Sequence, residues 1–175
     1  MKIVKKILIG IVVLIVLLLI VAIFIPADYT VTRMSTVNRP KQEVFDYVKS
    51  LKNQEQYSVW VMEDPKIQVT YTGVDGTVGS SSAWKSEKMG EGSQTITAVS
   101  SDKIEVDLNF IKPMADQAKA SMIVDAVDAN NSNITCTFYG HGAYPIGRLM
   151  SLIGKKFVGD AYEQNLVNIK KNLEK

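Results

Sequence analysis

The side chains in this sequence that could act as acids, bases, nucleophiles or metal ligands are few and widely separated. His141 is the only histidine and Cys136 the only cysteine among 175 residues. A single histidine cannot share acid–base work with a second one, and it cannot form a histidine cluster around a metal ion. The sequence therefore predicts no catalytic residue, no metal site and no cofactor.

These two residues follow opposite parities of one apolar strand pattern, so different environments are predicted for them. The pattern runs from Ile134 to Phe138, and successive side chains of a strand point to opposite faces. Cys136 shares the apolar parity, which is typical of a buried structural thiol, and a lone cysteine forms no intrachain disulfide. His141 shares the polar parity with Tyr139 and is expected to face solvent.

Two further segments resemble functional motifs, but each has a simpler structural explanation. Glu63 and Asp64 are adjacent carboxylates directly before Pro65, in a predicted loop where capping a turn is the usual role. The glycine-rich segment Gly73–Gly79 lacks the Lys-Ser/Thr pair of a phosphate-binding loop. Because it lies between two predicted strands, it is expected to connect a hairpin.

The first element of the chain is an apolar helix. Ile7 to Ile25 is a run of 19 residues without a charged or polar side chain. As a helix it would cover about 28 Å, close to the hydrocarbon thickness of roughly 30 Å. Lys2, Lys5 and Lys6 precede the run, which favours a cytoplasmic N-terminus. We predict a single-pass anchor over residues 1–26, with the lipid bilayer as its partner.

A cleaved secretory signal is the alternative explanation for this run. Such signals have an apolar stretch of roughly 7–15 residues and a small-x-small cleavage site. The stretch here is longer, and residues 21–27 contain no Ala-x-Ala. The sequence therefore favours an uncleaved anchor in the cell membrane, with residues 27–175 on the extracytoplasmic side.

Residues 27–175 are predicted to form one α+β domain. They carry 17 basic and 18 acidic side chains, which gives no electrostatic indication of nucleic-acid binding. Short gaps rich in turn residues favour an antiparallel meander of about seven strands. The predicted strands are Tyr29–Val37, Ile67–Tyr71, Val78–Ser86, Ser93–Val99, Ile104–Phe110, Ala118–Ala126 and Ile134–Phe138.

Two helices are predicted in this domain, a short one after Pro40 and a long one after Pro145. The apolar residues of the long helix recur every three to five positions, which predicts one apolar stripe along a helix of about seven turns. The stripe consists of Ile146, Leu149, Met150, Ile153, Phe157, Tyr162, Leu166, Ile169 and Leu173.

A curved sheet that grips a long helix encloses a space between them. Ala118, Ala120 and Ala126 share the core-facing parity of one strand, and such small residues leave the space partly empty. An empty apolar hole destabilises a fold, so one of this kind normally accommodates a ligand. The alternative is that Met150 and Phe157 fill the hole, and the sequence leaves both outcomes open. The side chains expected to line a cavity are Trp60, Trp84, Phe110, Met122, Met150 and Phe157.

The order and spacing of several short segments resemble the START-like helix-grip superfamily (SRPBCC), and within it the polyketide cyclase/dehydrase and lipid-transport-like branch. The resemblance covers residues 29–174 and implies a helix-grip fold with an apolar ligand cavity. Tyr57 and Val59 replace the first tryptophan and the proline of the family's Trp-Ser-Pro-Trp segment. The segments that carry the resemblance are Lys41–Val48, Tyr57–Trp60, Glu63–Pro65, Gly73–Gly79, Phe110–Pro113 and Gly159–Glu163.

Three functions are compatible with these patterns. The first is a membrane-anchored, non-catalytic binding domain for a hydrophobic small molecule or lipid. The second is an enzyme of the cyclase/dehydrase or hydrolase type, which requires His141, Glu63, Tyr71 or Tyr139 to converge in a pocket. The third is an envelope interaction module with a filled cavity, which a contiguous exposed apolar patch would favour.

Overall fold

The order of elements in the computed structural model follows the order predicted from the sequence. The structure describes residues 2–175. Over these residues the helices are α1 (Lys2–Phe24), α2 (Lys41–Val48), α3 (Gln54–Tyr57), α4 (Val59–Met62) and α5 (Ile146–Leu173). The strands are β1 (Asp28–Val37), β2 (Gln68–Thr72), β3 (Ser81–Ser86), β4 (Gly90–Val99), β5 (Lys103–Lys112), β6 (Asp116–Ala126) and β7 (Ser132–His141).

The N-terminal helix α1 is long enough and apolar enough to cross a membrane. Its large apolar side chains are exposed, and Ala22 is its one buried residue between Ile3 and Phe24. A helix that is apolar all round and packs against almost nothing is not a core helix of a soluble domain. These features are those of a membrane span or a signal sequence. Only residues 25–27 separate α1 from β1.

The seven strands form one antiparallel sheet in the order β1-β7-β6-β5-β4-β3-β2. Strands β2 to β7 form a meander, because each pairs with the next one along the chain. β1 closes the other side by pairing with β7. The predicted α+β fold, with a curved antiparallel sheet and a long C-terminal helix, is confirmed.

The strand register shows which strand ends and connections lie together at one end of the sheet. Asp28 at the start of β1 pairs with His141 at the end of β7. At the same end of the sheet, Phe110 pairs with Asp116 between β5 and β6, and Ser86 pairs with Gly90 between β3 and β4. We call this end of the sheet the anchor end, because α1 joins the sheet here through β1.

The hydrophobic core lies between one face of the sheet, α2 and the C-terminal half of α5. The alternation in β7 is as predicted, since Ile134, Cys136 and Phe138 are buried whereas Tyr139 and His141 are exposed. Full burial of a Val, Leu, Ile or Phe side chain contributes about 1.5–3 kcal/mol. The central cluster is formed by Val31, Val37, Val44, Phe45, Val48, Tyr57, Ala118, Val124, Ile134, Cys136, Phe138, Tyr162, Leu166 and Ile169.

The sheet leaves the first turns of the apolar stripe of α5 uncovered. Gly154 lies against Tyr29, the second residue of β1. The eight residues before Gly154, about 12 Å of helix, therefore project beyond the anchor end. Ile146 and Ile153, which belong to the predicted stripe, are consequently exposed, by 65% and 67%. Periodicity correctly identified an apolar face, but the strands are too short to cover all of it.

Candidate ligand-binding cavity

A cavity of about 460 Å³ lies between the concave face of the sheet and the helices. This volume is within the range of small-molecule sites, roughly 300–1,000 Å³. Its walls are mostly apolar and aromatic, and they come from β1 to β7, from the segment that contains α3 and α4, and from α5. The predicted residues found in the wall are Trp60, Trp84, Phe110, Met122 and Phe157.

Three residues expected to border the hollow lie outside it. Met150 does not line the cavity, because it belongs to the part of α5 that projects past the sheet, and it is about half exposed. Ala126 is exposed at the last position of β6, where the strand leaves the core. Ala118 is buried in the core, so of the three alanines of β6 only Ala120 borders the space. The hollow is therefore open and not filled by side chains of α5.

Aromatic pairs form two of the cavity walls. Trp84 and Phe110 make an edge-to-face contact with ring centroids 6.0 Å apart, and Trp60 contacts Tyr162 at the same separation. Gly92 of β4 lies between Trp84 and Phe110 in the strand register. A Cβ atom on Gly92 would collide with the Trp84 indole, so only glycine lets this ring cross β4 to reach Phe110. Such pairs contribute about 0.5–1.5 kcal/mol beyond area burial.

Polar groups are concentrated in one region of the wall. The Gln94 amide nitrogen donates to Gln54 Oε1 at 2.6 Å and to Ser82 Oγ at 2.9 Å. The Gln54 amide nitrogen donates back to Gln94 Oε1 at 3.3 Å. All three residues line the cavity. The two amides therefore satisfy each other and form a polar wall that is largely complete without a ligand.

Tyr57 provides an unsatisfied polar group in the same region. Its side chain lines the cavity and is 1% exposed, yet no group within residues 2–175 accepts or donates a hydrogen bond to its hydroxyl. Burial is the main cause that raises the pKa of the Tyr57 phenol far above its usual value, and Gln54 lowers this pKa. Buried polar atoms are normally paired, so this hydroxyl is a neutral donor left unpaired behind the cavity wall.

The four residues required by the enzyme hypothesis do not converge. Tyr71 lines the cavity and its hydroxyl donates to Glu55 Oε1 at 2.7 Å. Burial, and next the hydrogen bond to Glu55, raise the pKa of Tyr71 well above its usual value, so it cannot serve as a base at neutral pH. His141 and Tyr139 are exposed on the outer face of the sheet, and Glu63 is exposed in a loop.

The outer-face groups have local partners. His141 Nδ1 lies 2.7 Å from Asp28 Oδ1, and both side chains are largely solvent-accessible. Within the described part of the chain, no group of three or more His, Cys, Asp or Glu side chains could hold a metal ion. Cys136 does not line the cavity, and burial raises the pKa of its thiol to about 12, as expected for a structural residue.

Sequence reasoning identified the aromatic wall but missed the polar one. Gln94 shares the inward parity of β4 with Gly92 and Ile96, so strand alternation could have identified it. Gln54 lies on a short helix in a segment without regular periodicity, and nothing in the pattern indicates that it faces the cavity. For Tyr57, on the same helix, the sequence leaves open whether the ring lines a pocket mouth or packs in the core.

Comparison with family models assigns the fold independently. The model described as "Polyketide cyclase / dehydrase and lipid transport" matches residues 28–174, which include every strand of the sheet and the whole of α5. The chain belongs to this family. The resemblance noted over residues 29–174 is thereby confirmed, and the class is that of a helix-grip domain with a ligand-binding or cyclase-type architecture.

Solved structures with the same fold share little sequence with this chain. A protein from Mesorhizobium loti aligns with a TM-score of 0.62 at 11% identity, over 83% of this chain and 97% of its own. A protein from Bacillus thuringiensis aligns with a TM-score of 0.62 at 8% identity, over 84% and 100%. DynU16, from the dynemicin biosynthetic locus, gives 0.57 at 14% identity, and the match spans 83% of this chain but only 47% of DynU16. No curated protein matches the sequence.

Proposed function

We propose that this protein is a membrane-anchored binding domain for a hydrophobic small molecule or lipid. The observation that carries the proposal is the open cavity of about 460 Å³ with mostly apolar and aromatic walls. Such a space is unfavourable when empty, because its lining loses packing contacts, and a ligand restores them. Burial of an apolar ligand there would contribute about 25 cal/mol per Å² of apolar surface removed from water.

The polar wall defines the chemistry of the proposed ligand. The amides of Gln54 and Gln94 are already paired, whereas the Tyr57 hydroxyl is not. Because the amides are paired and the Tyr57 hydroxyl is inaccessible, this part of the wall offers a ligand no free polar group. The part of the ligand that contacts it is therefore expected to be apolar.

The membrane part of the proposal is supported by α1. Its apolar length suits a bilayer, and Lys5 and Lys6 lie at its start. The connection of three residues to β1 would hold the domain close to the lipid surface, where apolar molecules concentrate. The positive-inside rule then gives an extracytoplasmic domain. A fused reporter after Lys175 that is active only in the cytoplasm would contradict this orientation.

A cavity-filling substitution tests the binding function. We expect Ala120→Phe to block the space beside Met122 and Phe138 and to raise the Kd for a fluorescent fatty acid by roughly tenfold or more. Ala83→Phe is the matched control, because Ala83 lies on the exposed face of β3 between two cavity-lining residues. The full-length chain would be delipidated and titrated, with circular dichroism as the check on folding.

The outcomes of this titration are distinct. Retained binding in Ala83→Phe and lost binding in Ala120→Phe support a cavity binder. Equal affinity in all three proteins, or no uptake by the unsubstituted chain together with no bound species in native mass spectrometry, would rule the proposal out.

A cyclase-type or hydrolase-type enzyme is the second candidate, favoured by the hydrogen-bonded pair of Tyr71 and Glu55 at the cavity wall. The raised pKa keeps the Tyr71 phenol protonated, and if its single O–H left Glu55 it could donate to a substrate carbonyl oxygen, a role that activates an electrophile. The mass of a molecule recovered after incubation separates the two functions. A binding protein returns it unchanged, whereas an enzyme returns a product of different mass or retention time.

A further inference from the structure

The first turns of α5 present an apolar face that no part of the domain covers. Ile146, Met150, Ile153 and Phe157 follow helical spacing on one side of the helix, and each is at least 49% exposed. We call these four residues the α5 apolar face. Ile111 and Met114, at the connection between β5 and β6, add exposed apolar side chains at the anchor end of the sheet. Contiguous exposed apolar surface of this kind marks an interaction site.

Hydrogen bonds attach the beginning of α5 to the end of α1. The Tyr144 hydroxyl donates to the Leu19 carbonyl oxygen at 3.2 Å. The Arg148 guanidinium donates to the carbonyl oxygens of Ala22 and Ile23 at 3.4 and 3.3 Å. The last carbonyls of a helix have no intrahelical partner and carry partial negative charge, so a guanidinium is well suited to them. The position of the α5 apolar face relative to α1 is therefore set by specific contacts.

These contacts place the start of α5 beside the apolar part of α1. Leu19 lies five residues before the end of α1, about 8 Å along the helix axis. If α1 crosses a bilayer, Tyr144 reaches the depth of the membrane interface, where tyrosine is enriched. Arg148, which contacts the end of α1, is close enough to the same surface to face lipid headgroups, which suits a basic side chain.

The cavity opens at the same end of the domain. Four cavity-lining residues are exposed and so form its mouth: Lys88, Pro113, Asp116 and Phe157. The strand register puts Lys88, between β3 and β4, at the anchor end, together with Pro113 and Asp116 beside the β5–β6 connection. Phe157 belongs both to the mouth and to the α5 apolar face.

We infer that the α5 apolar face, with Ile111 and Met114, lies in the interface of the same bilayer leaflet from which α1 emerges, so that the cavity mouth opens against lipid. This inference rests on the anchor assigned in the proposed function. The bilayer is the occupant favoured over a second protein, because the face is continuous with a helix that is itself suited to lipid. Amphipathic helices at a membrane surface bury their apolar side by about 5–10 Å in this way.

Spin labels on the full-length chain in nanodiscs test the position of this face. Nitroxides would be placed at Leu14 in α1, Ile153 in the α5 apolar face and Val167 in the C-terminal half of α5. Val167 is the matched control, since it is an apolar residue of the same helix and is 56% exposed. Cys136 is buried, and labelling of the unsubstituted chain gives its background.

The measurement compares collisions with oxygen, which partitions into lipid, and with a water-soluble nickel chelate. We expect the oxygen-to-nickel ratio at Ile153 to exceed that at Val167 by roughly threefold or more, as at Leu14. A ratio at Ile153 equal to that at Val167 would overturn the inference. Protection of Ile153 from both reagents would overturn it as well, because it would indicate a protein partner or a second copy.

The Leu14 label separates this inference from the anchor on which it depends. If the label at Leu14 is accessible to the nickel chelate, α1 is not in the membrane, and both the anchor and the membrane contact of α5 are contradicted. If the label at Leu14 lies in lipid and the label at Ile153 lies in water, only the membrane contact of α5 is contradicted. The fatty-acid titration of Ala120→Phe is independent of all three labels, so it tests ligand binding in the cavity separately from the position of the domain on the membrane.

Discussion

The two halves of α5 have similar apolar content but different surroundings. In the C-terminal half, Tyr162, Leu166 and Ile169 are buried against the sheet and α3. In the N-terminal half, Ile146 and Ile153 occupy the same apolar stripe and are exposed. The start of α5 has α1 as its neighbour, whereas from Gly154 onward the helix follows β1.

This difference shows that periodicity identifies an apolar face without identifying what covers it. A strand of ten residues extends about 33 Å, whereas α5 with 28 residues extends about 42 Å. Part of the helix must therefore project past the sheet. The projecting part is the one next to the apolar helix α1. The apolar face of α5 would therefore be covered by the domain core along one part and by the surroundings of α1 along the other.

The largest difference between the halves is expected from two isoleucine truncations. Ile169→Ala should lower the free energy of unfolding by about 2–5 kcal/mol, because Ile169 is fully buried and its removal leaves a cavity. Ile153→Ala should change it by no more than about 0.5 kcal/mol, because this side chain is two-thirds exposed (67%). Urea unfolding followed by tryptophan fluorescence suits this test, since both tryptophans lie in the domain. Similar losses in the two variants would show that the first turns also belong to the core.

A smaller effect is expected from a buried polar contact of the C-terminal half. Asn165 is 4% exposed, and its Oδ1 accepts the backbone N–H of Val59 at 2.8 Å, at the start of α4. Asn165→Ala leaves that N–H without its partner and should lower the free energy of unfolding by about 1–3 kcal/mol. Gln164→Ala is the control, because the exposed Gln164 bonds only to Asn168, and it should stay within about 0.5 kcal/mol. If chemical denaturation finds equal losses, Asn165 does not fasten α4 to α5.

Most of the fold could be predicted because it depends on local alternation and turn chemistry. Side chains alternate between the two faces of a strand, so Ile134 and Cys136 of β7 could be assigned to the buried face from the sequence. Strands joined by a short connection must pair antiparallel, which gives the order of the meander. The aromatic cavity wall could be predicted for the same reason, since Trp84 and Phe110 lie on regular strands. Such features need no knowledge of distant contacts.

The remaining features depend on lengths and on contacts between distant segments. Met150 was expected in the cavity because its spacing is right, but the end of β1 near Tyr29 decides where the sheet stops covering α5. The polar wall pairs Gln54 of a short irregular helix with Gln94 of β4, which are 40 residues apart. No local pattern encodes this contact. The unpaired Tyr57 hydroxyl is likewise a property of the assembled cavity.

The smallest expected effect compares two glycines of α5, Gly154 beside the first turns that the sheet leaves uncovered and Gly159 further along β1. Gly154 has only the Tyr29 hydroxyl near the position of an added methyl group, at 3.7 Å, so Gly154→Ala should raise the free energy of unfolding by up to about 1 kcal/mol through helix propensity. At Gly159 the added methyl would meet the Arg33 guanidinium, whose Nε donates to Glu163 at 2.5 Å. Displacing this partly exposed ion pair costs roughly 0–1 kcal/mol, which offsets the helix-propensity contribution. Gly159→Ala should therefore raise the free energy of unfolding less than Gly154→Ala does. Thermal or urea unfolding of the two variants in parallel measures the difference. Equal increases in the free energy of unfolding would mean that the Arg33 side chain moves aside without cost. The packing of α5 against β1 would then be no tighter at Gly159 than at Gly154.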